Sequence, residues 1–317
     1  MKSIILPLAL ALLVTGVANA KKHKAAPTAW NQYGKVAAGN GTKGATLKEL
    51  DEPFQVFVDK HNNVYVADNG NNRIVKWADG EHVGVVVAGF IDTPESPKYL
   101  SAPHGVWLDN DGNLYATDFF YNTVRKWPHG KLEDVVVAGN GTAGANPEQL
   151  NDPRFICVDK DKNLYVADKG NKRIMKWPYG ATKGELIPGL KDVNTNRDRQ
   201  CVFVDDKMNV YTSDKATGEI TKWAPGQDNG TLVAHADGGM GMFVDQWENI
   251  YVPSNFGDSV TMFAPGDMKG KKILGGHGRG NATNQFSNPI SVFMDGDNNL
   301  YVTDHANNRV LKFAPKD

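Results

Sequence analysis

Three observations predict an all-β chain folded as a six-bladed β-propeller of four-stranded antiparallel blades. The first is a repeat. One pattern recurs six times, at Phe54–Trp77, His104–Trp127, Arg154–Trp177, Gln200–Trp223, Met240–Phe263 and Ile290–Phe313. The second is its period. The anchoring Asp of each copy (Asp59, Asp109, Asp159, Asp205, Asp245, Asp295) returns after 40 to 50 residues, the spacing of propeller blades. The third is the texture inside a copy, where short runs of alternating apolar residues are split by polar turns.

Each element of the blade has a local reason. Val56-Phe57-Val58 leads into Asp59 as the innermost strand, and Lys60-His61-Asn62-Asn63 has the polar, Asn-rich composition of a hairpin turn. Val64-Tyr65-Val66-Ala67 is β-branched and aromatic, as a second strand requires. Asn69-Gly70-Asn71-Asn72 turns the chain into a third strand, Arg73 to Trp77. Fourth strands are expected at Val83 to Ala88, Val135 to Ala138, Glu185 to Pro188, Thr231 to Ala234 and Lys272 to Gly275.

The sixth copy has no fourth strand of its own, because the sequence stops soon after its third, at Phe313-Ala314-Pro315-Lys316-Asp317. Gly34 to Thr42 reads like Val136 to Thr142, which includes a fourth strand. The N-terminal segment is therefore expected to supply the missing strand and close the ring, which removes an exposed sheet edge. The boundaries that follow are 1–20 as a signal peptide, 21–33 as a flexible N-terminal tail and 34–317 as the propeller.

The pattern Val-Asp…Asn-x-Tyr-Val-Ala-Asp…Gly-Asn-x-Arg-Ile is clearest at Phe57 to Ile74, Cys157 to Ile174 and Phe293 to Val310. With the connector Ala-Gly-Asn-Gly-Thr…Leu-x-x-Pro at Ala38 to Pro53 and Ala138 to Pro153, it closely resembles the NHL-repeat family. The resemblance covers about residues 34 to 314 and implies six blades. The fifth copy departs most, with Pro253-Ser254-Asn255-Phe256 in place of Ala-Asp-x-Gly.

Lys2, the apolar run Ile4 to Val17 and the small residues Ala18-Asn19-Ala20 have the order of a secretory signal peptide. The mature protein is expected to be secreted, or periplasmic in a bacterium, with no membrane span, and monomeric. A formal charge of −1 gives no basic face for nucleic acid. Cys157 and Cys201 lie two and four residues before their Asp, so both leave the same face of equivalent strands. Two buried free thiols are expected rather than a disulfide.

Most repeated residues read as structure. Phe57, Trp107, Cys157, Phe203, Phe243 and Phe293 occupy one register position and are expected to pack between blades. Asp68, Asp118, Asp168, Asp214 and Asp304 end second strands and read as acceptors that fix turns. Arg73, Arg173 and Arg309 read as their partners, or as partners of nearby backbone.

Function is sought where a repeat breaks its own pattern. The first residues of the inner strands are Phe54, His104, Arg154, Gln200, Met240 and Ile290, and they differ in chemistry. They share one rim with the loops joining second and third strands. Phe119-Phe120-Tyr121 replaces a polar loop with three aromatics, which a turn does not need. Either they anchor a partner or they fold back on the connector Pro94 to Pro103. The candidate binding set is His104, Phe119, Phe120, Tyr121, Arg154 and His305.

Catalytic and metal motifs are weak. His104, His235, His277 and His305 fall on rim-side segments but lack H-x-x-H spacing, so no cofactor is expected, with rim zinc or calcium as the alternative. There is no G-x-S-x-G, and Gly275 to Gly280 lacks the Lys-Ser/Thr of a phosphate loop. Sequons occur at Asn40, Asn140, Asn229 and Asn281, where glycans would be tolerated. The first functional reading is a non-enzymatic module that binds a protein, peptide or glycan. The second is a metal-dependent propeller enzyme: a lyase similar to the peptidyl-α-hydroxyglycine α-amidating lyase, or a lactonase-type hydrolase.

Overall fold

The computed structural model describes residues 26–89, 100–187 and 198–316. Over these residues the strands form six four-stranded antiparallel sheets. The first blade contains Pro53–Val58, Val64–Asp68, Arg73–Trp77 and Val85–Ala88, ordered from inside to outside. The inner strands of the next five blades are Val106–Leu108, Pro153–Val158, Arg199–Val204, Phe243–Val244 and Pro289–Met294. No helix among the described residues is long and apolar enough to cross a membrane.

The sixth blade closes as the sequence predicts. Lys35–Ala38 pairs antiparallel with Arg309–Phe313, with Lys35 opposite Lys312 and Val36 opposite Leu311. The closure begins earlier than residue 34. Trp30 is fully buried, bridges to Pro315, and donates its indole N–H to Asn298 O at 2.9 Å. The expected tail is thus docked from at least Trp30 onward.

The repeated Asp sets the inner hairpin. In the first blade Asp59 Oδ1 accepts the backbone N–H groups of His61 and Asn63, while Oδ2 accepts from the Asn63 amide and the Tyr65 hydroxyl. Burial opposes ionisation of Asp59, but these four hydrogen bonds outweigh it and hold the carboxyl below its usual pKa. The turn residue just before the repeated Asn or its equivalent is left-handed in every blade, with φ between 62° and 80° at Asn62, Gly112, Lys162, Met208, Glu248 and Asn298. Asn and Gly suit this conformation, while Met208 and Glu248 adopt it at a steric cost.

The second-strand Asp has the expected role. Asp68 accepts Asp51 N–H at 2.7 Å, Asn71 Nδ2 at 2.9 Å and Arg73 Nε at 2.6 Å. Arg73 continues to the carbonyls of Ala45, Thr46 and Glu49, clamping the connector onto the blade. The same set recurs at Asp168 with Arg173 and at Asp304 with Arg309. The recurring Lys of the third strand caps the Tyr of the second, as in Lys312 at 5.2 Å from the Tyr301 ring centre.

Both thiols are free and buried. Cys157 packs with Val202, Val204 and Trp223 of the fourth blade, and Cys201 packs with Met242, Val244 and Val252 of the fifth. Each points to its next blade, so the two sulfurs diverge.

The ring of large side chains expected between blades forms, with Cys157 as its one small member. Its five aromatics meet one another from blade to blade around the axis. Centroid distances run Phe57–Trp107 5.0 Å, Trp107–Phe203 6.1 Å, Phe203–Phe243 5.2 Å, Phe243–Phe293 5.0 Å and Phe293–Phe57 4.8 Å, a closed circuit. The third blade's Cys157 is too small to join, and the larger Trp107 spans past it to Phe203. This circuit closes one end of the central channel.

The channel is also filled midway. Gln55 accepts the N–H groups of Val106 and Ile156 and donates to Ile156 O, linking three blades. Phe155 is buried beside Gly241, where an added Cβ would stand 2.6 Å from Ile290 O and 3.1 Å from the Phe155 ring. The propeller therefore has two separate mouths.

Candidate functional site

One mouth is built from the starts of the inner strands and the loops between second and third strands. Phe54 lies at its centre. The His104 ring meets Phe54 edge-on at 4.1 Å, and His305 does so at 5.2 Å from another side. The stack continues outward from His104 to Phe119 at 4.7 Å and from Phe119 to Phe120 at 5.0 Å. Phe120 is 69% exposed and Tyr121 42% exposed.

The aromatic loop follows from the loss of a clamp. Tyr121 stands where other blades carry Asn71, Asn171 or Asn307, and Thr123 stands where they carry Arg73, Arg173 or Arg309. Asp118 finds its cation elsewhere, in Arg125 at 3.1 Å. Burial still pushes Asp118 up to about 6, against the pull of Arg125. The loop is then a plain turn rather than the short 3₁₀ turn of Asn69–Asn71, Lys169–Asn171 and His305–Asn307. Residues 94–99 of the connector Pro94 to Pro103 lie outside the described residues.

Both histidines are fixed through Nδ1. His104 Nδ1 lies 3.1 Å from Ala102 O, and His305 Nδ1 lies 3.0 Å from Pro53 O. A carbonyl only accepts, so each Nδ1 carries a hydrogen. Burial lowers the His104 pKa to about 3, and the charges of Arg154, His305 and Lys169 act in the same direction. His104 is therefore a neutral acceptor at physiological pH.

Charged groups flank the stack. Arg154 pairs with Asp152 at 3.2 Å and donates to Gln200 Oε1 at 3.0 Å, and Lys169 pairs with Asp152 at 3.2 Å. The fold thus assembles His104, Phe119 and Phe120 in one stack. It joins His305 through Phe54, places Arg154 near enough to depress His104, and leaves Tyr121 on the same loop. His235 is exposed at the end of the outer strand Thr231–His235, and His277 is exposed on a connector. Among the described residues, no group of three His, Cys, Asp or Glu side chains is arranged to hold a metal.

Phe54 is the residue that sequence reasoning passed over. It varies among the blades like its neighbours, but only the closed ring makes it the shared wall of two histidines. The opposite mouth was missed as well. It holds an open cavity of about 730 Å³ above the aromatic circuit.

These features define a six-bladed β-propeller with a closing N-terminal strand and a mixed aromatic and polar rim. A family model described as the NHL repeat matches residues 150–177, the connector end and first three strands of the third blade. The sixfold pattern and the closed ring are similar to those of NHL-repeat propellers. No curated protein matches the sequence. Among solved structures, a gluconolactonase from Xanthomonas campestris is similar at 13% identity, with a TM-score of 0.65 over 86% of this chain and 89% of that one. An auxiliary nutrient binding protein from Bacteroides ovatus is similar at 11% identity, with a TM-score of 0.66 over 90% and 78%. A virginiamycin B lyase from Staphylococcus aureus is similar at 12% identity, with a TM-score of 0.58 over 85% and 97%. At these identities the likeness is one of fold.

Proposed function

We propose that this propeller is an exported, monomeric module that binds a peptide, protein or glycan at the His104 mouth. The carrying observation is the continuous stack from Phe54 through His104 and Phe119 to the exposed Phe120. An exposed aromatic supported by a buried one behaves as an anchor, because its apolar face is pre-positioned. The His104 Nε2 acceptor and the donors of Arg154 and Lys169 would orient the ligand around it. The test is a screen of peptide and glycan arrays with the native protein and with Phe119→Ala/Tyr121→Ala. Ligands bound by the first should lose at least about 2 kcal/mol with the second. Equal binding by both proteins would move the site elsewhere.

The second reading is a lactone hydrolase or a lyase, with rim zinc or calcium as its cofactor. It is favoured by the two imidazoles facing one mouth, and by folds shared with a gluconolactonase and a virginiamycin B lyase. Turnover of a sugar lactone, abolished in both His104→Gln and His305→Gln and dependent on an added divalent ion, would establish it. Lactone decay at the buffer rate under the same conditions would leave the binding reading.

A further inference from the structure

The opposite mouth has a different chemistry. Its cavity of about 730 Å³ lies in the range of small-molecule sites. The floor is the closed aromatic circuit described above. The walls include five of the six inner-hairpin carboxylates, from Asp109 to Asp295.

These carboxylates carry charge but have no acceptor capacity left. A carboxylate offers about four lone-pair sites. Asp245 uses all of them, accepting Trp247 N–H, Asn249 N–H, the Asn249 amide and the Tyr251 hydroxyl. The other wall carboxylates repeat the set, as Asp205 does with Lys207 N–H, Asn209 N–H, the Asn209 amide and the Tyr211 hydroxyl. Around the cavity stand seven carboxylates, with Asp206 and Glu248 added to the five, and two ammonium groups, Lys160 and Lys207. Lys207 is paired with Glu248. The lysines that cap the tyrosines sit on third strands and do not line the cavity, but Lys222 also pairs with Glu248 at 2.8 Å and Lys312 lies 3.9 Å from Asp295.

One residue also breaks the repeat here. Trp247 lines the cavity at the turn position held elsewhere by His61, Asp111, Asp161, Lys207 and Asp297. It adds an aromatic wall to the aromatic floor. Acidic potential in a cleft attracts cations, and aromatic faces attract weakly hydrated ones most effectively. Saturated carboxylates offer nothing to a ligand that must donate hydrogen bonds, such as a primary amine or a sugar.

We propose that this mouth is a binding site for an organic cation of the quaternary ammonium class, held against the aromatic floor and Trp247 within the ring of fixed carboxylates. The site is independent of the His104 mouth, from which the filled channel separates it.

Titration calorimetry and tryptophan fluorescence test this with choline as the probe. Its uncharged isostere 3,3-dimethylbutan-1-ol, ethanolamine and methyl glucoside are the comparisons. Choline should saturate one site and bind about tenfold or more tighter than each comparison, and its affinity should fall as salt rises. Trp247→Ala should weaken choline about fivefold, and Trp247→Phe should restore most of that loss. Phe119→Ala/Tyr121→Ala should bind choline like the native protein. The proposal is overturned if choline does not bind, if the isostere or ethanolamine binds equally well, or if the Phe119/Tyr121 variant alone abolishes binding.

Discussion

Trp30 meets Tyr251 edge-on, with 5.7 Å between ring centroids and 87° between their planes. The contact joins the N-terminal segment to the fifth blade, while the same indole donates to Asn298 O in the sixth. Closure therefore rests on a side-chain latch as well as on the pairing of Lys35–Ala38 with Arg309–Phe313. Trp30→Ala should cost about 3–5 kcal/mol, the range for a buried aromatic truncated to Ala. Urea denaturation measures it, and a loss below about 1 kcal/mol would show that strand pairing alone holds the ring. Deleting residues 21 to 42 removes both and should lower the melting temperature further.

Gln55 is a second long-range tie. Its side-chain oxygen accepts from Val106 at 3.1 Å and from Ile156 at 3.3 Å, on two other blades. Gln55→Leu keeps the volume and removes the acceptor. Each orphaned N–H should cost about 1–3 kcal/mol. The shift in denaturation midpoint reads the sum, and an unchanged midpoint would mean that water replaces the amide.

The thiols give a direct chemical test. Burial pushes Cys201 up to about 12 and raises Cys157 as well. Neither is a useful nucleophile while folded. The native protein should resist alkylation, and the denatured protein should gain two groups without reductant. Zero groups after denaturation would mean a disulfide.

His104 should make stability fall with acid. Its folded pKa of about 3 lies below the ordinary value near 6.5. Between these values the unfolded chain binds the proton and the folded chain does not, so stability rises with pH across that window. The contribution is fully present above about pH 6.5 and is lost as pH falls towards 3. Native protein should lose about 2 kcal/mol relative to His104→Gln between pH 6.5 and 5. Asp118, raised to about 6, acts in the opposite sense, but it is common to both proteins and cancels in the difference. Parallel stability curves for the two proteins would mean that His104 titrates normally.

The sequence by itself determined the blades, their number and their closure. These features are written in local chemistry repeated six times: the Asp that accepts its own hairpin's N–H groups, the αL turn residue, and the Tyr that reaches back to the Asp. Even offsets from that Asp placed Cys157 and Cys201 on the same face of equivalent strands, each towards its own next blade, because side chains alternate along a strand. Only the tertiary structure decided what meets at the axis. Strand parity says that Phe57 and Trp107 share a face, but not whether that face meets the next blade or its five counterparts. That depends on the radius at which six blades close. Ring closure alone brings Phe54, His104 and His305 together across about 250 residues of chain, and it places Trp247 over the aromatic floor of the opposite cavity. Residues far apart in sequence and different in type leave no periodic signal, so their meeting is a property of the closed ring.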